Sequence, residues 1–283
     1  MRSPAEMFAL LEEIADSDER IRVVTLEGSR VNPNAAADAW QDYDVTFLVT
    51  DVPGFTRSDE WLERFGVLVF MQKPEAMELF PPDFPAGWFS YLMLFSDGAK
   101  IDLTLVPCED RDAYFAQDPL IRVLLDKDGV CPETQEPSDE RFWVREPPSE
   151  HVRDCANEFY LSCTYVARGL LRDELLCANW TFEQIVRVEL LRMFGYVAGA
   201  RAGFPLNTGK HDKLLPRFLK PGEREALLGT YRLDTVEAAW KGLRTAMDLF
   251  EASMAEVCAA LSYDCPNDRP TIDAYLETLK DLR

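Results

Sequence analysis

Apolar residues recur at helical spacing near the start of the chain: Met7, Leu10, Leu11 and Ile14 share one face of a helix predicted over residues 5–15. The pattern then changes to β-branched runs. One runs from Ile21 to Leu26 and ends on Glu27-Gly28-Ser29, and another spans Val45 to Val49. Between them lies a polar, turn-rich segment from Asn32-Pro33-Asn34 through Gln41. Val67 to Met71, Phe89 to Phe95 and Ile101 to Val106 predict further strands, the last two joined at the turn signal Ser96-Asp97-Gly98. Past Arg145-Glu146-Pro147-Pro148-Ser149 the period returns to that of a helix. Val152, Cys155, Phe159, Cys163, Val166 and Leu170 form a stripe, and helices are predicted over Glu183 to Ala200 and Val236 to Leu261. The expected class is α+β. Residues 1–148 form a mixed sheet with flanking helices, and residues 149–283 form a helical bundle domain.

At 283 residues, 47% hydrophobic and 28% charged, the chain has material for two cores. No stretch has the roughly 18 apolar residues that a membrane span needs, and the first residues carry no signal-peptide pattern. The expectation is a soluble cytoplasmic protein without a membrane partner, a monomer or weak dimer. Seven cysteines, with no Cys-x-x-Cys pair and only two histidines, argue against zinc and for reduced thiols. The formal charge of −20 disfavours nucleic acid, whose phosphates require a basic face. It suits a cationic small molecule instead.

The chemistry concentrates in three places: Gly28-Ser29-Arg30, Asp42-Tyr43-Asp44, and Lys100-Ile101-Asp102-Leu103-Thr104. Alternate strand residues face one side, so Asp42 and Asp44 project together while Tyr43 points away. Asp102 stands between Ile101 and Leu103, where a carboxylate needs a partner or a metal. Converging carboxylates that share a site with substrate phosphates are the donor set magnesium prefers, with one or two ions clamping an in-line phosphoryl transfer. Gly28 and Ser29 follow a strand, where backbone N–H groups and a hydroxyl meet a departing pyrophosphate.

The ordered set Gly-Ser, Asp-x-Asp and a later strand carboxylate resembles the nucleotidyltransferase superfamily. Further segments are similar to aminoglycoside 6-adenylyltransferases: Arg20 through Arg30, Trp40 through Asp44, Met71 through Glu75, Trp88 through Tyr91, Lys100 through Leu105 and Leu124 through Asp128. In the second half the likeness continues at Asn157-Glu158-Phe159, Ile185-Val186-Arg187, Leu190 through Met193 and Gly209-Lys210, so it spans nearly the whole chain. The resemblance implies a nucleotidyltransferase-type mixed sheet as the catalytic domain and a helical substrate- and nucleotide-binding domain. It also implies transfer of AMP from ATP to the 6-hydroxyl of streptomycin, giving antibiotic resistance, with Mg2+ as cofactor.

Carried over by position, the resemblance makes Asp42, Asp44 and Asp102 the metal ligands and catalytic acids. Asp102 is the candidate general base, with Glu78, Glu158 and Glu183 as alternatives. It assigns Ser29, Arg30, Arg192, Lys210, Lys213 and Tyr231 to the nucleotide. Lys210 and Lys213 belong to a local basic island with Arg217 and Lys220, a source of counter-charge in an acidic chain. A cationic aminoglycoside requires carboxylates and aromatic faces, for which Trp88, Asp154, Glu158, Trp180 and Glu183 are the candidates. Asp154 and Glu158, four apart, share a helical face. Asp126-Lys127-Asp128-Gly129 reads as a turn, lacking the remaining ligands of a calcium loop. Three rival readings use the same residues: a sugar-nucleotide transferase, a nucleotidyltransferase with another small-molecule or protein acceptor, and a non-catalytic acidic binding module.

Overall fold

In a computed structural model that describes residues 2–132 and 136–281, the chain forms two compact units, Met1–Arg141 and Phe142–Arg283. The first is built on helix α1 (Pro4–Asp16) and strands β1 (Ile21–Glu27) and β2 (Tyr43–Val49). Helix α2 (Val52–Thr56) then leads to strands β3 (Leu68–Gln72), β4 (Phe89–Phe95) and β5 (Lys100–Pro107), helix α3 (Arg111–Gln117) and strand β6 (Ile121–Asp126). Helix α1 starts where its residues dictate. Ser3 accepts the Glu6 amide at 3.3 Å while its own amide donates to Glu6 at 2.8 Å, a reciprocal cap on the first turn.

The six strands lie in the order β3-β4-β5-β2-β1-β6. Only β2 and β5 run parallel; the chain between them supplies α2, β3 and β4 as the crossover a parallel pair needs. One sheet face is apolar over its central strands. Phe47, Tyr91, Met93, Ile101, Leu103 and Leu105 are buried there, and Trp61 packs edge-on to Phe55, Phe65 and Tyr91 with centroids 4.9–5.9 Å away. The other face divides along its length. Val23, Leu48 and Val106 lie beneath Trp88 and Tyr114 at one end, and carboxylates occupy the other. Strand β3 closes one edge of the sheet, with Val67, Val69 and Phe70 more than 60% exposed. After β6 the Asp126 carboxylate accepts the amides of Asp128, Gly129 and Cys131, which makes the Asp-Lys-Asp-Gly segment a turn.

The second unit begins before the proline pair of the sequence boundary. Strand β7 (Trp143–Val144) pairs with β8 (Leu206–Asn207), so these residues belong with the helices. Helix α4 (Ser149–Leu171) buries all six residues of its expected stripe. Helix α5 (Leu175–Thr181) passes through one wide turn at Phe182–Val186 into α6 (Arg187–Ala202), so the helical path starts before Glu183. Helices α7 (Pro221–Gly229), α8 (Val236–Leu261) and α9 (Arg269–Asp281) complete the unit. Phe159 of α4 stacks on Phe250 of α8 at 3.9 Å in its centre. All seven cysteines are free thiols. Among the described residues, no helix is long and apolar enough to cross a membrane.

Three helices meet at one guanidinium. Arg201 of α6 donates to Glu256 of α8 at 2.6 and 2.7 Å and to Glu223 of α7 at 2.6 and 2.8 Å. Its hydrogen bonds hold the Glu256 carboxyl down to about 2, below its ordinary 4.5. A carboxyl depressed in the folded state contributes stability above its unfolded value and loses it as the pH falls toward the folded one. Urea unfolding of Glu256→Gln should therefore show its full deficit against the parent at neutral pH. That deficit should shrink between about pH 5 and pH 2; a gap independent of pH would refute the assignment.

Candidate active site

Strand register sets the geometry of the acid end. Asp44 is the register partner of Asp102 on β5 and of Glu27 on β1, so three adjacent strands present acids side by side. Tyr43 is buried on the opposite face, and Asp42 precedes β2 on the side of Asp44. The ammonium of Lys100 lies among them, 2.6 Å from Asp42 Oδ2 and 2.5 Å from Asp102 Oδ2. Burial works against that ammonium, but the two carboxylates prevail and hold its pKa above the ordinary value. Asp42 moves the other way: burial is the largest influence and opposes ionisation, but the Lys100 hydrogen bond, a backbone hydrogen bond and the charges of Lys100 and Arg30 together outweigh it, leaving the carboxyl below the usual range.

Asp44 has no such partner. Burial first, then the charges of Asp42, Asp102 and Glu27, push its carboxyl up to about 6. Glu27 is also raised, because burial outweighs the hydroxyls of Thr46 at 2.5 Å and Tyr114 at 2.6 Å that donate to it. Asp102 Oδ1 is buried with no hydrogen-bond partner among the described residues. Among those residues, no three His, Cys, Asp or Glu side chains form a closed metal-ligand group, since Lys100 stands between Asp42 and Asp102. Even so, the donor chemistry fits a divalent cation. Asp44 is destabilised by like charge, an Asp102 oxygen lacks a donor, and hard carboxylate oxygens are what magnesium takes.

The turn after β1 brings backbone close to this cluster. Gly28 has φ of +68°, and a Cβ placed there would fall on the Asp44 carboxylate, 3.0 Å from its carbon, so only glycine fits. Ser29 follows at the rim, its carbonyl accepting Gln41 Nε2 at 3.1 Å. Arg30 braces the loop. It donates to the carbonyls of Gln41 and Asp42 at 2.5 and 2.8 Å and stacks on Tyr43 at 3.6 Å, so it fixes the approach of Asp42. Of the guanidinium of this expected phosphate ligand, Nε and one Nη are thus held on backbone carbonyls. Trp88, an expected substrate residue, is also engaged within the fold. It is 5% exposed, donates its indole N–H to Asp110 at 2.8 Å, and lies toward the far end of the strands from the acids.

In the second unit Glu183 and Tyr231 meet at buried Arg187. The guanidinium donates to both Glu183 oxygens at 2.7 Å, reaches Thr230, and lies 3.5 Å from the Tyr231 ring centre. Glu183 is thus a partner of Arg187 rather than a free carboxylate for a cationic ligand. Arg192 pairs with Glu189 at 2.8 Å. Lys210 and Lys213 are exposed on the turn that holds Asp212, whose carboxyl burial raises against the pull of Thr208, His211 and Arg192. Asp154 and Glu158 are exposed one turn apart on α4, and Trp180 is 63% exposed.

Two residues of the acid end were missed as site residues in the sequence reading. Lys100 is two positions before Asp102, so the alternation that pairs Asp42 with Asp44 also places it on the acid face. Glu27 is the last residue of β1, and only the register with Asp44 reveals its place.

Residues 1–279 match the streptomycin adenylyltransferase family. The chain is 44% identical over 278 residues to an aminoglycoside 6-adenylyltransferase of Bacillus subtilis, covering 98% of each. It is 43% identical to one of Campylobacter jejuni, over 94% of this chain and 92% of that one. To one of Staphylococcus aureus it is 38% identical, over 98% of both.

The convergence of charge is measurable directly. In metal-free protein the Asp44 carboxyl carbon resonance should titrate near pH 6. Lys100 lowers that value, so Lys100→Met should raise it further. A midpoint in the ordinary range near 3.8 would show that the acids do not converge.

Proposed function

The chain belongs to the streptomycin adenylyltransferase family, and we propose that it transfers the adenylyl group of ATP to a hydroxyl of an aminoglycoside, the 6-hydroxyl of streptomycin, so conferring resistance. The observation that carries the reading is the alignment of Asp44 with Asp102 across a parallel strand pair beside the glycine turn. Magnesium held by Asp42, Asp44 and Asp102 would neutralise phosphate charge and the departing pyrophosphate.

The protein's own groups divide the remaining work. Gly28 keeps the backbone close to the acids, and the Ser29 hydroxyl and amide take phosphate oxygens at that turn. Arg30 holds the backbone of Asp42, which keeps the metal-ligand carboxylates in place before substrate arrives. Lys100 favours the ionised form of Asp42 and orients both Asp42 and Asp102. Asp102, the acid on the central strand, accepts the proton of the attacking hydroxyl as it approaches the α-phosphorus in line. Arg192, Lys210, Lys213 and the Tyr231 ring serve the nucleotide. Asp154, Glu158 and Trp180, with carboxylates and ring open to solvent, serve the cationic acceptor.

The direct test is pyrophosphate release from Mg-ATP, with product mass, in the presence of streptomycin, a neomycin-class aminoglycoside or no acceptor. Release with streptomycin alone and a mass gain of one adenylyl group are expected; folded, ATP-binding protein that releases none with any aminoglycoside would overturn the reading. Asp44→Asn should cut turnover by roughly a hundred- to a thousand-fold or more. The same change should raise the melting temperature of metal-free protein at neutral pH, because it removes a carboxylate that burial and three like charges oppose. Retained turnover, or a lowered melting temperature, would count against Asp44 as a ligand.

A further inference from the structure

The strand pair that carries the acids also ends in a cavity. Val49 and Pro107 pair five positions beyond Asp44 and Asp102, roughly 17 Å along the sheet at the usual rise of a strand. There the first unit holds a cavity of about 620 Å³. Phe84, Trp88 and Phe89 supply its aromatic surface, while Asp51, Glu75 and Glu109 supply carboxylates. No Lys, Arg or His is among its described lining residues. The size and the mix of apolar wall with a few polar groups are those of small-molecule sites.

The carboxylates are not all used up by the fold. Asp51 caps α2 through one oxygen, accepting the Gly54 amide at 2.9 Å. Glu75 accepts the amide and hydroxyl of Ser90 at 2.7 and 2.5 Å, both on Oε2. Its Oε1 is buried and has no hydrogen-bond partner among the described residues. Glu109 is exposed at the mouth. Burying such an acceptor is costly unless a donor reaches it. Anionic groups beside aromatic rings, with no cation in the lining, call for a ligand that brings both positive charge and an apolar body.

We propose that this cavity is a second ligand site, for an organic cation in which an ammonium, amidinium or guanidinium group is attached to an apolar or aromatic body. The cationic head pairs with Glu109 and is drawn inward by the charge of Glu75, and the body lies against Phe84 and Trp88. The site is separate from the acid end of the sheet and does not depend on the proposed transfer reaction.

Benzamidine, with neutral benzamide as its near-isostere, tests this on the full chain labelled with 15N. The reporter is the Trp88 indole N–H resonance, identified by its absence in Trp88→Phe and sensitive to the bond with Asp110. Benzamidine should shift it saturably, and benzamide at equal concentration should leave it in place. In Glu75→Gln with Glu109→Gln, which keeps an acceptor for Ser90, the dissociation constant should rise by about ten-fold. The shift should persist in Asp44→Asn. Equal shifts with both compounds would leave an apolar pocket without cation selectivity and overturn the proposal. So would no shift with benzamidine, no weakening in the double variant, or loss of the shift in Asp44→Asn, which would trace the signal to the acid end.

Discussion

Mutual repulsion among carboxylates on one sheet face is the constraint to which the first unit is built. Glu27, Asp44 and Asp102 sit abreast because β1, β2 and β5 are locked in register by buried side chains on the opposite face. A slip of one residue would turn the acids into the core and Tyr43, Val45 and Phe47 toward solvent, so the apolar packing enforces the charge cluster. Lys100 relieves part of the strain by bridging Asp42 and Asp102, and Asp44 retains the rest. A site of this kind binds cations well because it holds its anions in place at a cost to the folded chain. The free energy of that opposition becomes available when positive charge arrives.

Much of this was legible in the sequence where local periodicity and topology agree. The strands with β-branched runs and the long stripe of α4 announce themselves, and alternation alone puts Asp42 and Asp44 on one side. Other elements were hidden for physical reasons. Strand β6 packs only Ile121 fully, and its remaining positions are partly covered or exposed, so no clean alternation marks it. Helix α6, by contrast, falls almost wholly within the helix expected over Glu183 to Ala200, although Leu190, Met193, Phe194, Val197 and Ala198 are buried around much of its circumference. Helix α9 buries little besides Leu276 and reads as polar. The partners of several expected site residues were hidden for one reason: residue type names a chemistry but not a partner. Arg30, Glu183 and Trp88 each carry a functional group of the expected kind, and each bonds a neighbour in the fold.

The helical unit meets the acidic composition in a different way. Instead of gathering acids, it distributes them around a few arginines, and two of the guanidinium groups tie separate segments together. Arg187 joins the wide turn at Phe182–Val186 to Thr230 and Tyr231, and Arg201 joins α6 to α7 and α8. The planar fork of arginine lets one side chain satisfy two carboxylates at once, which a lysine at the same place would not do. Residues that look like spare surface charge in the sequence thereby become the hydrogen-bonded joints of a bundle.

The edge strand β3 has a bearing on how the molecule behaves among its own copies. Val67 through Met71 is uncharged and contains no proline, and its outer backbone groups have no strand beyond them in the sheet. Such an edge is a template onto which another extended chain adds. What opposes that encounter is colloidal: each copy carries a formal charge of −20, and two like-charged bodies keep their distance. This defence is long in range only while the solvent is dilute in ions, since at physiological ionic strength the field decays over about 8 Å. Added salt therefore weakens the long-range repulsion that keeps two such edges apart, while leaving the edges themselves unchanged.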